Sequence, residues 1–299
     1  MSAEPAARSI PDELAFADQA LRTGKIDAGI AALQRAADQG SLRAMLNIGN
    51  IYGEGTLVAK DRLKACQFYA QGADRFEKMD RFHPAARLIA EAFRLAARCH
   101  AEGLPAAGWP QNLKAAADMY FHAGVILGDP VGLYELAKVY LNGEGIMRNP
   151  TIAIKHLEES ARKGHPPAQA LLGSMMWDGK VMKKRPAAGL ALLILGKERT
   201  SEEDRAWIFA LYDDAIITAS KDLEQDAITL AEQWKSVHGD PATNALQTVA
   251  TASGQEEVPP PSRSPLRQLR GIDINQAKGA DSFGSLPTRA VVPPSPEGR

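Results

Sequence analysis

Six histidines, two cysteines and two acidic runs are the residues of this sequence that could carry out chemistry. A histidine can act as a base or as a metal ligand, and a helical metal pair needs His-x3-His or His-Glu-x2-His spacing. The histidines show neither spacing. They are His83, His100, His122, His156, His165 and His238. Each is assigned a packing or surface role, and the sequence predicts no metal site and no cofactor.

The acidic runs are Glu158-Glu159 and Glu202-Glu203-Asp204. Ser201 precedes the second run and can cap a helix there, so that the acids meet the positive end of the helix dipole. The runs are therefore interpreted as a solvated face and a helix start rather than as a catalytic carboxylate pair. No nucleophile elbow, P-loop or dinucleotide fingerprint occurs. The sequence predicts a protein that is not an enzyme and has no catalytic residue.

Charge and hydropathy exclude several kinds of partner. The 299 residues include 35 Lys and Arg against 36 Asp and Glu, a formal net charge of −1. Nucleic acid and anionic lipid surfaces attract proteins with clustered positive charge, so neither is predicted. No apolar stretch approaches the roughly 20 residues that span a bilayer, and the first residues lack the apolar region of a secretory signal. Residues 1–11 are predicted to be a disordered lead.

The composition changes from about Gly239 onward. Proline runs such as residues 259–261 remove backbone donors, and few apolar side chains remain to offset the entropy of ordering. The sequence predicts a Pro-rich disordered tail over residues 237–299. Residues 293–296 fit a PxxP ligand spacing, although a solvated tail is the favoured interpretation.

The elements that position these residues repeat along the chain. Gly40, Gly128 and Gly164 are each followed fifteen residues later by another glycine. With positions counted from the first glycine of each pair, small residues recur at +4 and +9, large apolar residues at +8 and a large side chain at +12. The sets are Ala44, Gly132 and Ala168; Gly49, Ala137 and Gly173; Ile48, Leu136 and Leu172; and Tyr52, Tyr140 and Met176. These positions share one face of an α-helix, and a glycine at +15 suits a left-handed cap.

A second helix follows each of these helices. Its predicted starts are Asp61, Asn112, Asn149 and Arg185, and small residues eight apart share one of its faces. A fourth copy of the first helix, degenerate and without its leading glycine, runs through residues 92–103 after an insertion around residues 76–90. A hairpin of this kind must stack on its neighbours to cover its apolar face. The sequence predicts an all-α fold, an α-solenoid of stacked helix hairpins over residues 12–236. Residues 12–38 form an atypical first hairpin and residues 202–236 a closing helical pair.

Two stretches carry a family resemblance. Residues 44–55 and 133–145 resemble Sel-1-like repeats, the longer-looped relatives of tetratricopeptide repeats. Lys64-Ala65 and Lys114-Ala115 are similar to the pair that opens that family's second helix. The resemblance implies a right-handed α-solenoid that binds proteins.

A narrower resemblance covers the second half. Residues 161–173 and 185–193, with Trp207 and Trp234, are similar to the alphaproteobacterial exopolysaccharide negative regulators called ExoR. That resemblance implies a periplasmic protein that binds the periplasmic domain of a membrane sensor histidine kinase, holds the kinase inactive and is released by proteolysis. The alternative is a general intracellular scaffold in the cytoplasm that assembles protein complexes. A hydrolytic activity, proposed for some Sel-1-like proteins, is a more distant alternative.

The cysteines lie on adjacent predicted hairpins, Cys66 on a second helix and Cys99 on the next first helix. Such positions could face each other across a stacking interface, and a disulfide would need an oxidising compartment. Two buried thiols are the favoured interpretation, with a disulfide left open.

If positions +4, +8, +9 and +12 pack, the opposite side of each first helix lines the inner, concave surface. Positions +7 and +10 lie there. They are Asn47 and Asn50, Leu95 and Arg98, Glu135 and Lys138, and Leu171 and Ser174. A mixed polar and apolar groove of this kind suits an extended peptide or a folded protein partner. These eight residues are the predicted protein-binding face.

Overall fold

The computed structural model describes residues 8–239, and the described chain is built from helices without β-strands. Most of the predicted lead and tail, residues 1–7 and 240–299, lies outside the described residues. The predicted boundaries shift by two residues at each end, because helix begins at Ile10 and continues to His238. Ser9 caps the first helix by accepting a hydrogen bond from the Asp12 amide. At the other end, the ring of His238 packs against Trp234 with 4.3 Å between centroids.

The described chain divides into two compact units, residues 8–127 and 128–239. The first unit contains three helix hairpins. Their helices are α1 (Ile10–Arg22), α2 (Ile26–Asp38), α3 (Leu42–Glu54), α4 (Arg62–Arg75), α5 (Ala86–Glu102) and α6 (Leu113–Phe121), and α6 continues into a π-helix, His122–Ile126. Each helix packs against the next along the chain, so the hairpins are stacked as the repeat predicts.

The second unit contains two repeat hairpins and a closing pair. Its helices are α7 (Pro130–Asn142), α8 (Pro150–Arg162), α9 (Pro166–Asp178), α10 (Pro186–Glu198), α11 (Glu202–Thr218) and α12 (Lys221–His238). Helix α10 packs against α9, α11 and α12, and α11 also contacts α9. The predicted closing pair is therefore present and covers the last repeat hairpin.

One hydrogen bond recurs in every repeat hairpin. The backbone amide of the N-cap residue, directly before the second helix, donates to the backbone carbonyl of the residue at +12 in the first helix. The pairs are Asp61 to Tyr52, Asn112 to His100, Asn149 to Tyr140 and Arg185 to Met176, each at 2.8 Å. This bond closes the loop within the hairpin. It also confirms the degenerate copy, in which His100 stands where the repeat has a tyrosine.

The helix ends have local causes that the sequence predicts. Gly55, Gly143 and Gly179 adopt left-handed conformations with φ of 74°, 77° and 69° at the ends of α3, α7 and α9. Glycine alone adopts this conformation without a Cβ penalty. The side chains of Asp61, Asn112 and Asn149 accept hydrogen bonds from amides in the first turns of α4, α6 and α8.

Small residues form much of the core, as the low aromatic content indicates. Ala32, Ala36 and Ala44 are fully buried in the first unit, and Leu33 and Ile48 supply bulk beside them. Burying many small side chains lets helix axes approach closely and brings backbone atoms into contact. None of the described helices is long and apolar enough to cross a membrane.

The cysteines correct one prediction. Cys66 on α4 and Cys99 on α5 form a disulfide, with 5.8 Å between their Cα atoms, so the favoured interpretation as two buried thiols is wrong. Helices α4 and α5 pack side by side, and this contact brings the two sulfur atoms within bonding distance. The bond ties the second hairpin to the third and closes a ring across a sequence separation of 33 residues.

Candidate protein-binding face

Tyr69 connects the packed side of α3 to its accessible side. The residue lies on α4, and its ring lies against α3 at Gly49, where a Cβ would come within 2.4 Å of the ring. Gly53, one turn later, leaves room for the hydroxyl, which lies 3.3 Å from the position of a Cβ there. The two glycines therefore let an aromatic side chain of the partner helix reach across α3.

The Tyr69 hydroxyl donates a hydrogen bond of 2.8 Å to the side-chain oxygen of Asn50. Burial raises the pKa of Tyr69 to about 12, so the phenol stays protonated and remains a donor at physiological pH. The bond occupies the Asn50 oxygen and fixes the amide orientation, which leaves the NH₂ group of this half-buried residue to donate to a ligand.

Charged side chains surround this hydrogen bond. Arg98 and Glu91 from α5 and Glu54 from α3 all interact electrostatically with the Tyr69 hydroxyl. Arg98 is exposed, and it forms no ion pair or hydrogen bond with another described residue. A guanidinium in this position offers several donors to a carboxylate or a backbone carbonyl of a partner.

The structure thus brings Asn50 and Arg98 together around Tyr69 in the first unit. Asn47, one turn earlier on α3, is exposed, and Leu95 on α5 is half-buried. All four residues predicted for this unit are accessible at least in part. They form a polar surface with one apolar member, which we call the α3–α5 face and define as Asn47, Asn50, Leu95 and Arg98 with Tyr69.

In the second unit, Glu135 and Lys138 bind each other. Lys138 Nζ lies 2.9 Å from Glu135 Oε2, and both side chains are about a quarter exposed. The Lys138 ammonium also lies over the ring of Tyr134, 5.1 Å from its centroid. Burial raises the pKa of Tyr134, with smaller contributions in the same direction from Glu135 and Asp204. The predicted pair is accessible, but each charge already has a partner.

Leu171 and Ser174 correct the prediction for the last repeat. Leu171 is 2% exposed and Ser174 is 7% exposed, so neither offers a surface to a partner. Helix α9 is packed against α8, α10 and α11, and these contacts cover the side that an inner repeat would leave open. The rule that +7 and +10 line an accessible surface does not hold where the closing pair folds over the hairpin.

Sequence reasoning did not include Tyr69 in the predicted protein-binding face. The available signal was Gly49 and Gly53, because two glycines one turn apart on a packed face leave a channel for a long side chain of the neighbouring helix. Glu54 and Glu91 were also missed, and their positions depend on the register between α3 and α5.

Each histidine packs against an aromatic ring, which confirms the predicted packing or surface roles. The pairs are His83 with Phe76, His100 with Trp109, His122 with Phe93, His156 with Tyr140, His165 with Tyr134 and His238 with Trp234. Burial lowers the pKa of His122 to about 4, so its ring is neutral at physiological pH. Within residues 8–239, no three His, Cys, Asp or Glu side chains converge as a metal site would require.

The repeated hairpins match a known family. The sequence model of the Sel1 repeat matches residues 42–75, 130–165 and 166–196, which correspond to the hairpins α3–α4, α7–α8 and α9–α10. The third hairpin of the first unit, with its insertion and its π-helix, lies outside the matched stretches. Three hairpins of the chain are therefore similar to the Sel1 repeat.

Two curated relatives share a function in their names. The exopolysaccharide production negative regulator of Rhizobium leguminosarum bv. viciae is 26% identical over 220 residues, which cover 74% of this chain and 80% of the relative. The protein of the same name from Rhizobium meliloti (strain 1021) is 27% identical over 222 residues, covering 73% of this chain and 79% of the relative. The chain is therefore similar to these regulators over about three quarters of its length.

A solved structure supports the fold. The Sel1 repeat protein from Oxalobacter formigenes superposes with a TM-score of 0.56 and covers 75% of this chain and 88% of its own. The two sequences are 18% identical over the match, so the likeness concerns the stacked hairpins alone.

Proposed function

We propose that this chain is a non-catalytic regulatory protein that binds the periplasmic domain of a membrane sensor histidine kinase and restrains it in the control of exopolysaccharide production. The observation that carries the proposal is the α3–α5 face, where Arg98, which has no ion pair within residues 8–239, and an oriented Asn50 offer donors beside an apolar Leu95. Such a surface suits the backbone and acidic side chains of a protein partner. The regulator names of both curated relatives support the same role.

The disulfide supports the proposed compartment. Cytosolic thiols are kept reduced, whereas the bacterial periplasm is oxidising, so a bond between Cys66 and Cys99 persists in the latter. A general intracellular scaffold, the alternative function, would not retain this bond. Thiol trapping in intact cells tests the compartment: acid quenching followed by maleimide labelling should leave both cysteines unlabelled until a reductant is added.

A non-catalytic role is supported by how the repeat uses its conspicuous residues. The glycines end helices, the acidic first turn of α11 follows the capping residue Ser201, and the histidines pack on aromatic rings. These structural roles account for residue types that a search for an active site would select first.

The experiment that tests the proposal is a binding measurement between the full chain and the purified periplasmic domain of the sensor kinase from the same organism. We expect a one-to-one complex by sedimentation velocity and a slower autophosphorylation of the full-length kinase in vesicles when the chain is added. If no complex forms at about 50 μM of each protein, the affinity is too weak for regulation and the kinase proposal is wrong.

A further inference from the structure

One loop of the first unit departs from the repeat. Successive hairpins are joined across residues 39–41 in the first unit and 163–165 in the second, whereas α4 and α5 are joined across residues 76–85. Phe82 in this loop is 86% exposed, the highest value among the large hydrophobic residues that the structure describes. A side chain this exposed gains little hydrophobic free energy from folding and stays available to a partner.

Hydrogen bonds within the loop hold the backbone around Phe82. Its amide donates to Asp80 Oδ1 at 2.9 Å, and the His83 amide donates to the Asp80 carbonyl at 3.1 Å. The ring nitrogen of His83 accepts from the Ala85 amide at 3.1 Å. Phe76, at the start of the loop, is buried and contacts the edge of the His83 ring. The loop is therefore a defined structure rather than a loose connection.

Further contacts tie the loop to the π-helix that follows α6. Arg81 donates a hydrogen bond of 2.7 Å to the carbonyl of Val125. The ring of His122 hydrogen-bonds to the backbone of Met79 and stacks on Phe93 with 4.0 Å between centroids. Single turns of π-helix occur frequently at functional sites, and this one supplies both contacts to the loop.

The disulfide between Cys66 and Cys99 restrains the two helices that carry the loop. The long loop, the π-helix and the disulfide are the features of the first unit that the repeat does not require. The hydrogen bonds within the loop, the contacts from the π-helix and the disulfide all restrain the segment that holds Phe82. A residue whose backbone is held in place in advance loses less entropy on binding, and large anchors in central pockets dominate interface energies.

We propose that Phe82 is the anchor by which this protein docks into an apolar pocket on a folded protein partner. The proposal rests on the proposed function in requiring a protein partner. The pocket must accept a benzyl side chain, and its rim must be polar with charges of both signs, because the exposed Lys78, Asp80 and Arg81 precede Phe82 in the loop. A lipid surface is disfavoured, since these three charges sum to only +1 and a single ring contributes little membrane affinity.

The test compares full-length variants for binding to the immobilised periplasmic kinase domain. Phe82→Ala should weaken binding about 30-fold, the effect of an interface anchor, and leave the melting temperature unchanged. Met147→Ala removes another exposed side chain, 67% exposed in the loop after α7, and should bind as the wild type does. Arg81→Ala frees the loop while keeping Phe82, and should weaken binding by a smaller factor.

Several results would overturn the anchor. One is binding of Phe82→Ala within twofold of the wild type, and another is an equal loss for Phe82→Ala and Met147→Ala. Co-sedimentation of the wild type, but not of Phe82→Ala, with phosphatidylglycerol vesicles would assign the ring to lipid instead. A wild-type dimer that Phe82→Ala dissociates would assign the ring to a second copy of this chain.

If the wild type fails to bind the kinase domain, the proposed kinase partner is wrong. The role of Phe82 as an anchor is then tested in cells. The chromosomal gene is then replaced by the Phe82→Ala or Met147→Ala variant, with equal protein amounts verified by immunoblot. The anchor is supported if the Phe82→Ala strain, but not the Met147→Ala strain, produces as much exopolysaccharide as the deletion strain. Output at the wild-type level for Phe82→Ala overturns it.

Discussion

Gly173 on α9 and Gly189 on α10 face each other so closely that a Cβ on either would lie 2.7 Å from the carbonyl oxygen of the other. The two helices of this hairpin therefore touch through their backbones. The repeat places a small residue at +9 for this reason. In α3 the same position, Gly49, admits the ring of Tyr69 instead, so one small position serves two kinds of packing.

Gly173→Ala is predicted to lower the free energy of unfolding by about 1–3 kcal/mol, the usual cost of overpacking. The added methyl meets a backbone oxygen, which cannot move without shifting a helix. Urea unfolding monitored by circular dichroism measures the change. Gly53→Ala is the matched control, because its Cβ would lie 3.3 Å from the Tyr69 hydroxyl oxygen and 3.6 Å from the Ala65 Cβ, both side-chain atoms, and should change stability less than Gly173→Ala does. Equal stabilities for the two variants would contradict the backbone contact.

Reduction of the Cys66–Cys99 bond is predicted to lower the free energy of unfolding by about 3–4 kcal/mol. The value follows from the loop-closure entropy for a sequence separation of 33 residues. Urea unfolding with and without dithiothreitol measures it, and the Cys66→Ser/Cys99→Ser double variant should show no response to the reductant. Two free thiols on alkylation of the unreduced, denatured wild type would refute the bond.

Arg98→Ala is predicted to weaken binding of the kinase domain about tenfold and to leave the melting temperature unchanged. The stability should persist because Arg98 is exposed and has no ion pair within residues 8–239. Isothermal titration calorimetry and thermal unfolding give the two readouts. Arg22→Ala is the control, since it removes an exposed arginine that pairs with Asp18 on α1. A similar loss of affinity in both variants would indicate a general charge effect.

Stability is predicted to fall by about 1–2 kcal/mol as the pH is lowered from 7 to 5 because of His122. Its pKa is about 4 in the folded protein, against 6.5 for an unperturbed histidine, so the unfolded chain binds more protons in this interval. Burial also lowers the pKa of His100 and His156, which act in the same direction. His122→Phe should reduce the slope of stability against pH, as measured by urea unfolding at each pH. An unchanged slope would contradict the assignment.

Local features of the fold were predictable because their causes lie within a few residues. Gly55 and Gly143 end their helices through their own backbone conformations, and Asn149 caps α8 with its own side chain. The spacing of these residues identifies each hairpin. The stacking of hairpins followed from the apolar faces that they expose.

Features that depend on contacts between distant segments were less predictable. Leu171 and Ser174 have the spacing of exposed residues and are buried because α11 folds back onto α9. The bond between Cys66 and Cys99 depends on the register between α4 and α5, which the insertion between these helices obscures. Asn50 and Arg98 were predicted to share one face, and the tyrosine that interacts with both of them comes from another helix, α4.

The disulfide encloses the whole loop that presents Phe82. A protease that cuts the backbone anywhere between Cys66 and Cys99 leaves the two pieces covalently joined, because the sulfur bridge bypasses the cut. The nicked molecule keeps its mass apart from one added water and separates into fragments only on reduction. Between Cys66 and Cys99, the peptide backbone and the disulfide therefore both hold the molecule together, and cleavage of the backbone alone does not divide it.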